Sequence, residues 1–201
     1  MNIVKGTLDS KVVQIASSSI DKEIVGHRAI AIVGGEFAIA PQRSKVGITT
    51  LLGSCVAVML CDNSVGIISM NHFLLPGKGM GESYQYGFDS LSKMIDEMLK
   101  LGASKSKMVA KIAGGASLLA TKNLNIGNRN VEFARAFCES ENIKIVGEHV
   151  SGECGRVVLL VGSFETFVRQ VANKNVTDGI ERENSIRART LLNIQPIKEM
   201  Q

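Results

Sequence analysis

Three runs rich in β-branched and aliphatic residues follow one another almost without pause, at positions 46–52, 56–60 and 65–75. Only Gly53-Ser54 and Asp62-Asn63-Ser64 separate them. Short clusters of Gly, Asp, Asn and Ser are turn formers, each for its own conformational reason. Strands joined by turns pair antiparallel, so this stretch points to hairpins rather than to strand–helix–strand units. The same texture recurs elsewhere. Ile30 and Ile32 precede Gly34-Gly35, and Phe37 and Ile39 follow it, which reads as a hairpin. Positions 108–113 read as a strand closing at Gly114-Gly115, and 143–146, 156–161 and 164–171 as further strands.

Two helices interrupt the strands. Phe88, Leu91, Ile95, Met98 and Leu99 recur at helical spacing, with Met94 beside them and Gly102 where a C-terminal cap belongs. Asp96, Glu97 and Lys100 lie on the opposite side and read as a solvated face, not as an acid–base pair. Positions 76–87 read as a glycine-rich loop, and 130–137 as a second helix capped by Asn128. Strands outnumber helices, which predicts an α+β layered fold.

The chain has 201 residues, 45% of them hydrophobic, enough for one domain with a real core. With no Trp, that core has to be built from Val, Ile, Leu, Met and Ala. Residues 1–26 show no period and are expected to form a poorly ordered leader, 27–172 the folded domain, and 173–201 a polar C-terminal extension. Lys5, Asp9 and Lys11 exclude a secretory signal at the start, and the uncharged run 46–61 is too short and too rich in Gly and Thr to span a bilayer. A cytoplasmic protein is expected, with Cys55, Cys61, Cys138 and Cys154 as free thiols. The absence of a Cys-x-x-Cys pair speaks against a zinc knuckle. A net charge of +4, with scattered basic residues and no interleaved aromatics, fits an acidic protein partner better than nucleic acid.

One thiol stands apart. Cys55 follows directly on the Gly53-Ser54 turn, and His72 lies in the next strand. If Asn63-Ser64 form a two-residue hairpin loop, Asp62 opposes Val65 and, counting outwards, Cys55 opposes His72. Directly opposed residues share a face with β-carbons about 4.5–5.5 Å apart. An imidazole at that distance can take the thiol proton and leave a thiolate, the competent nucleophile. Against this stands the ordinary role of a cysteine as a small buried hydrophobe and of a histidine as a hydrogen-bonded structural residue.

The blocks Leu52-Gly53-Ser54-Cys55-Val56-Ala57-Val58, Met70-Asn71-His72-Phe73-Leu74-Leu75-Pro76, Ala110-Lys111-Ile112-Ala113-Gly114-Gly115-Ala116-Ser117 and Asn125-Ile126-Gly127-Asn128-Arg129-Asn130 resemble, in order and spacing, the CheD family, the chemoreceptor glutamine deamidases. The resemblance implies a layered sandwich of mixed β-sheets with helices on an outer face, similar to the catalytic domains of deamidating toxins. It implies a protein-glutamine glutaminase, a cysteine hydrolase acting on a carboxamide, with no metal or organic cofactor. It assigns catalysis to Cys55, His72 and a threonine that falls at Thr49 on ungapped spacing, with Thr50 adjacent. Ser54, Asn71, Gly114, Gly115 and Arg129 follow as expected substrate contacts, the two glycines through backbone N–H groups offered to an oxyanion. A glycine turn closing a strand is the competing role for that pair. Partners implied are the cytoplasmic helical bundle of methyl-accepting chemoreceptors and, in some members, a CheC-type phosphatase, with no nucleic acid and no membrane insertion. Two other readings compete: a binding module for receptors or that phosphatase, and a cysteine peptidase or transglutaminase built on the same dyad.

Overall fold

The computed structural model describes residues 3–7, 13–15, 23–24, 27–74, 80–117 and 126–171. Among the described residues twelve strands run in the order β1 (Ile3–Thr7), β2 (Val13–Ile15), β3 (Glu23–Ile24), β4 (His27–Ala31), β5 (Glu36–Pro41), β6 (Val46–Leu52), β7 (Val56–Asp62), β8 (Ile67–Asn71), β9 (Met108–Gly114), β10 (Lys144–Val150), β11 (Gly155–Leu160) and β12 (Thr166–Val171). Helix α1 (Met80–Lys100) follows β8, and α2 (Ile126–Ser140) follows β9. Seven strands form one sheet, ordered β10-β9-β7-β8-β5-β1-β2, and five form the other, ordered β12-β11-β6-β4-β3. Both are mixed: β9–β10 and β4–β6 are parallel pairs among antiparallel ones.

The central strands explain their own composition. Every residue of β7 is buried, because one of its faces meets the five-stranded sheet and the other meets the helices. A strand covered twice needs apolar residues in unbroken succession. The edge strands β10 and β12 instead alternate between exposed and half-buried residues. Ala57, Met59 and Cys61 of β7 point between the sheets, against Ile48, Leu52, Val158 and Leu160. Val56, Val58 and Leu60 point to the helical layer, against Leu91, Met94, Ile95 and Met98 of α1 and Val131, Ala134 and Phe137 of α2. Each Val, Leu, Ile, Met or Phe among them contributes roughly 1.5–3 kcal/mol on burial.

Helix α1 ends as its sequence foretells. Gly102 has φ +94, Ala103 N–H bonds Met98 O at 3.1 Å and Gly102 N–H bonds Leu99 O at 2.9 Å. That double closure with a left-handed residue is the glycine cap.

Four expectations change. Ile3 and Val4, assigned to a poorly ordered leader, are 1% and 5% exposed, and β1 pairs with β5 inside the seven-stranded sheet. Helix α1 begins at Met80, inside the expected glycine-rich loop, and α2 begins at Ile126, so Asn128 lies in its first turn rather than at its cap. Gly34-Gly35 closes no hairpin: β4 pairs in parallel with β6, while β5 pairs with β8 and β1. The alternation of Ile30 and Ile32 is used across the sandwich, against Ala38 and Ala40, not along one sheet. The fourth change is the register of β7 and β8, which matters for the site. The expected extension at 173–201 lies outside the described residues.

Candidate active site

The β7–β8 turn is longer than two residues. Asp62 pairs with Ile67, and residues 63–66 form the turn. Asp62 builds it: its carboxylate accepts Ser64 N–H at 2.8 Å and Ser64 Oγ–H at 2.7 Å, its carbonyl accepts Gly66 N–H at 3.0 Å, and Gly66 sits at φ +68. An aspartate folded back on its own loop in this way competes with the tight hairpin. Pairing is Met59↔Met70, and an isolated bridge joins Val56 to Phe73. Ala57 therefore faces His72, and Cys55, two residues before Ala57, is its diagonal neighbour. Such neighbours lie about 7–8 Å apart at the backbone, with side chains reaching towards each other. The expectation of direct opposition is corrected. The shared face survives, because the register moved by an even step.

That face looks into the sandwich. Residues 52–55 carry the chain from the five-stranded sheet to the seven-stranded one, and Cys55 stands half-buried at the crossing. His72, 3% exposed, directly follows β8 on the other side. The two sheets meet in a hydrogen bond: Thr50 Oγ1 and His72 Nδ1 are 2.8 Å apart. Thr50 Oγ1 also donates to Ile32 O at 2.8 Å. A hydroxyl has one proton, and a carbonyl can only accept. The hydroxyl therefore accepts from Nδ1–H, which fixes His72 in the tautomer whose lone pair is on Nε2. Thr49 is placed elsewhere: its hydroxyl donates to Val158 O at 2.8 Å. Neighbouring residues of a strand point to opposite faces, so only one of the two threonines can meet His72. It is Thr50.

Three carbonyls of the turn at Gly53, Ser54 and Cys55 are held from outside. Ala116 N–H bonds Gly53 O at 2.9 Å, Asn130 Nδ2 bonds Ser54 O at 2.7 Å, and Gly115 N–H bonds Cys55 O at 2.8 Å. The expected oxyanion role of Gly115 is thereby corrected, since its amide is engaged by Cys55 itself, and Gly114 ends β9 in the glycine turn that was the competing role for the pair. Glycine is required at both positions for closeness. A β-carbon on Gly114 (φ +115) would lie 2.2 Å from Cys55 O, and one on Gly115 (φ +69) 2.4 Å from Val131 Cγ2. Beneath them, Ser151 N–H holds Gly114 O, Ser117 N–H holds Gly152 O, and the buried Arg156 guanidinium donates to the carbonyls of His149 and Ser151. Burial lowers the Arg156 pKa from its usual value.

Of the other expected contacts, Asn71 is misassigned. It is fully buried on the face shared with Phe37 and Ser69, the helix-covered one, and its Oδ1 accepts Val58 N–H at 2.9 Å. Arg129 is half-buried in the first turn of α2, the helix packed on that same far face. Ser54 stays half-exposed beside Cys55. Asn130 was not singled out by sequence, although a signal existed. It is 0% exposed and falls on the apolar stripe with Ala134 and Phe137, a polar residue where the period calls for an apolar one.

The remaining thiols differ from Cys55. Burial pushes Cys61 and Cys138 up to about 11, with Asp62 and Glu148 respectively adding to the effect, and Cys154 is exposed. A cavity of about 280 Å³ opens between β10 and β12, and none of Cys55, His72 or Thr50 lines it. Among the described residues no group of three His, Cys, Asp or Glu stands close enough to hold a metal ion, and no helix is long and apolar enough to cross a membrane.

Comparison with known proteins points one way. A family model described as CheD chemotactic sensory transduction matches residues 74–170, beginning just beyond His72. A protein of Cupriavidus metallidurans named "Probable chemoreceptor glutamine deamidase CheD" is 33% identical over 173 residues, 82% of this chain and 78% of its own. Its namesakes in Rhizobium etli and Rhizobium meliloti are 40% and 39% identical over 134 and 142 residues, covering 64% and 68% of this chain and 72% and 76% of theirs. Among solved structures, the Bacillus licheniformis hypothetical protein YfiH reaches a TM-score of 0.38 at 12% identity, over 53% of this chain and 48% of its own, a likeness too small to carry an argument.

Proposed function

Because the chain belongs to the CheD family, we propose that it deamidates glutamine side chains of chemoreceptors, with Cys55 as nucleophile and His72 as proton carrier. The observation that carries this reading is the Thr50–His72 hydrogen bond with its second link to Ile32 O. It leaves the basic lone pair on the nitrogen that a base needs, in a ring on the same face as the thiol.

The steps follow from those placements. His72 Nε2 takes the Cys55 proton, and the thiolate attacks the carboxamide carbon. The imidazolium, held through Nδ1 by Thr50, returns the proton to the departing nitrogen, and ammonia leaves. A thioester to Cys55 remains. His72 then takes a proton from water, the resulting hydroxide attacks the thioester and expels the Cys55 thiolate, glutamate is released, and the imidazolium returns its proton to the sulfur. Thr50 replaces Thr49 in this scheme. Ser54, half-exposed beside Cys55, is the remaining substrate contact. The scheme needs no metal or organic cofactor. Substrate glutamines would lie on the cytoplasmic helical bundle of the receptor, with a CheC-type phosphatase as a second partner.

Incubation with a receptor cytoplasmic fragment, followed by peptide mass spectrometry, tests the reading. Conversion of particular glutamines to glutamates, absent in Cys55→Ala, is expected. Co-purification with every peptide mass unchanged would favour a binding module instead. A shortened fragment would indicate a peptidase, and an added amine a transglutaminase.

A further inference from the structure

Val56 and Phe73 exchange main-chain hydrogen bonds at 3.0 and 2.9 Å. In an antiparallel ladder such bonded pairs recur at every second residue, so Val58 and Asn71 should exchange theirs too. Val58 N–H instead bonds the Asn71 side chain, and continuous pairing of β7 with β8 begins only at Met59↔Met70. A side-chain carboxamide stands where a peptide carbonyl would be.

The arrangement is costly. Asn71 is 0% exposed, and its Nδ2 is buried with no hydrogen-bond partner among the described residues. An orphaned buried polar group loses its bonds to water and gains nothing in exchange. A valine here would remove the orphan, suit a strand and let the ladder close. Asn71 touches no substrate, because it faces the helical layer. Its neighbour in the chain is His72, and the pair beside Val58/Asn71 on the inner face is Ala57/His72. His72 itself is tied to β5, its N–H to Glu36 O at 2.9 Å and its carbonyl to Gly35 N–H at 2.7 Å. The imidazole must fit between Ala57 of β7 and Thr50 of β6.

We propose that Asn71 is a positioning residue for His72: its carboxamide, set between β7 and β8, holds the strands apart at the level of the imidazole and so fixes the approach of His72 to Cys55. The consequence for turnover rests on the deamidase reading. The geometry does not.

The test compares wild type with Asn71→Ala and Asn71→Val by three readouts: kcat and KM for receptor-fragment deamidation, the thermal midpoint, and the rate of Cys55 alkylation by iodoacetamide at neutral pH. A misplacement of the order of 1 Å predicts kcat lower by about a hundredfold, with KM nearly unchanged because ground-state binding is untouched. Cys55 alkylation should slow by roughly tenfold as its base is displaced, while the midpoint of Asn71→Val stays at or above that of wild type. Should Asn71→Ala not fold, Asn71→Val, which leaves no cavity, decides. Wild-type kcat in a folded variant overturns the inference, as does unchanged Cys55 alkylation. If wild type itself deamidates nothing, the functional reading fails, and the alkylation rates alone still decide the role of Asn71.

Discussion

Strand β7 behaves as two different strands along its length. At its Asp62 end, pairing with β8 and β9 is continuous, and the turn is closed by the strand's own carboxylate. At its Cys55 end, pairing with β8 falls to one bridge, a side chain replaces a main-chain acceptor, and the turn before it is held by donors from Gly115, Ala116 and Asn130. The regular end keeps its main-chain ladder intact and closes its turn with its own carboxylate, which also accepts Ser104 N–H at 2.8 Å. The irregular end has its turn carbonyls held by Gly115, Ala116 and Asn130, and it presents a half-exposed thiol on the face of His72. Departures from local rules are expected at functional sites, which fits the proposed role of this end.

If that division is real, substitutions at the two ends should fail differently. Cys55→Ala should reduce deamidation by about 10⁴-fold or more, because it removes the group that forms the bond. His72→Ala should reduce it by about 10²–10⁴-fold. Both should unfold at temperatures near that of wild type, as circular dichroism would report.

The threonines sharpen the comparison. Thr50→Val should lower kcat by roughly ten- to a hundredfold through loss of the partner that orients the imidazole. Thr49→Val should leave kcat near wild type, since its hydroxyl reaches only Val158 O. The reverse order would restore Thr49 and undo the tautomer assignment.

Asp62→Ala should do the opposite of these: kcat per folded molecule preserved, stability lower by about 1.5–3 kcal/mol in urea titrations. Burial alone would raise the Asp62 carboxyl, but hydrogen bonds from Ser64 and Ser104 and the charge of Lys107 outweigh it and hold the carboxyl below its usual value. Its contribution is thus present at neutral pH and disappears as pH falls through the acid range, a loss that Asp62→Ala should not show.

The smallest effect lies at alkaline pH. Cys61 and Cys138 are pushed from 9.0 to about 11. Well below pH 9.0 they are neutral whether folded or unfolded. Between 9.0 and about 11 only the unfolded chain ionises them, so stability should fall as pH rises across that window. Cys138→Ala should show a shallower fall in its urea midpoint.

Much of this division was legible in the sequence. Strands β6, β7 and β9 are runs rich in aliphatic and β-branched residues bounded by turn residues, and their limits are close to those the sequence suggests. The face shared by Cys55 and His72 was also legible, since a period of two survives an even shift of register. The register itself was not. It depends on the Asp62 carboxylate bending back to Ser64, which residue types alone do not announce. Parity within β6 held an unused signal: Val46, Ile48 and Leu52 point between the sheets, so Thr50 does too, and Thr49 does not. The Gly34-Gly35 crossing was read as a hairpin because alternation looks the same whether strands pair within a sheet or stack across two.

The most direct test is the pH dependence of Cys55 alkylation in wild type and His72→Ala, with the four cysteines resolved by peptide mapping. The account predicts that wild-type Cys55 reacts faster than Cys154 near neutral pH, while Cys61 and Cys138 stay silent until the solution approaches pH 11. His72→Ala should slow Cys55 at neutral pH by about tenfold or more, because a free thiol with a pKa of about 8.5 is then left without its base, and it should leave Cys154 unchanged. A Cys55 rate that is the same in both proteins across the pH range would contradict the Cys55–His72 pair.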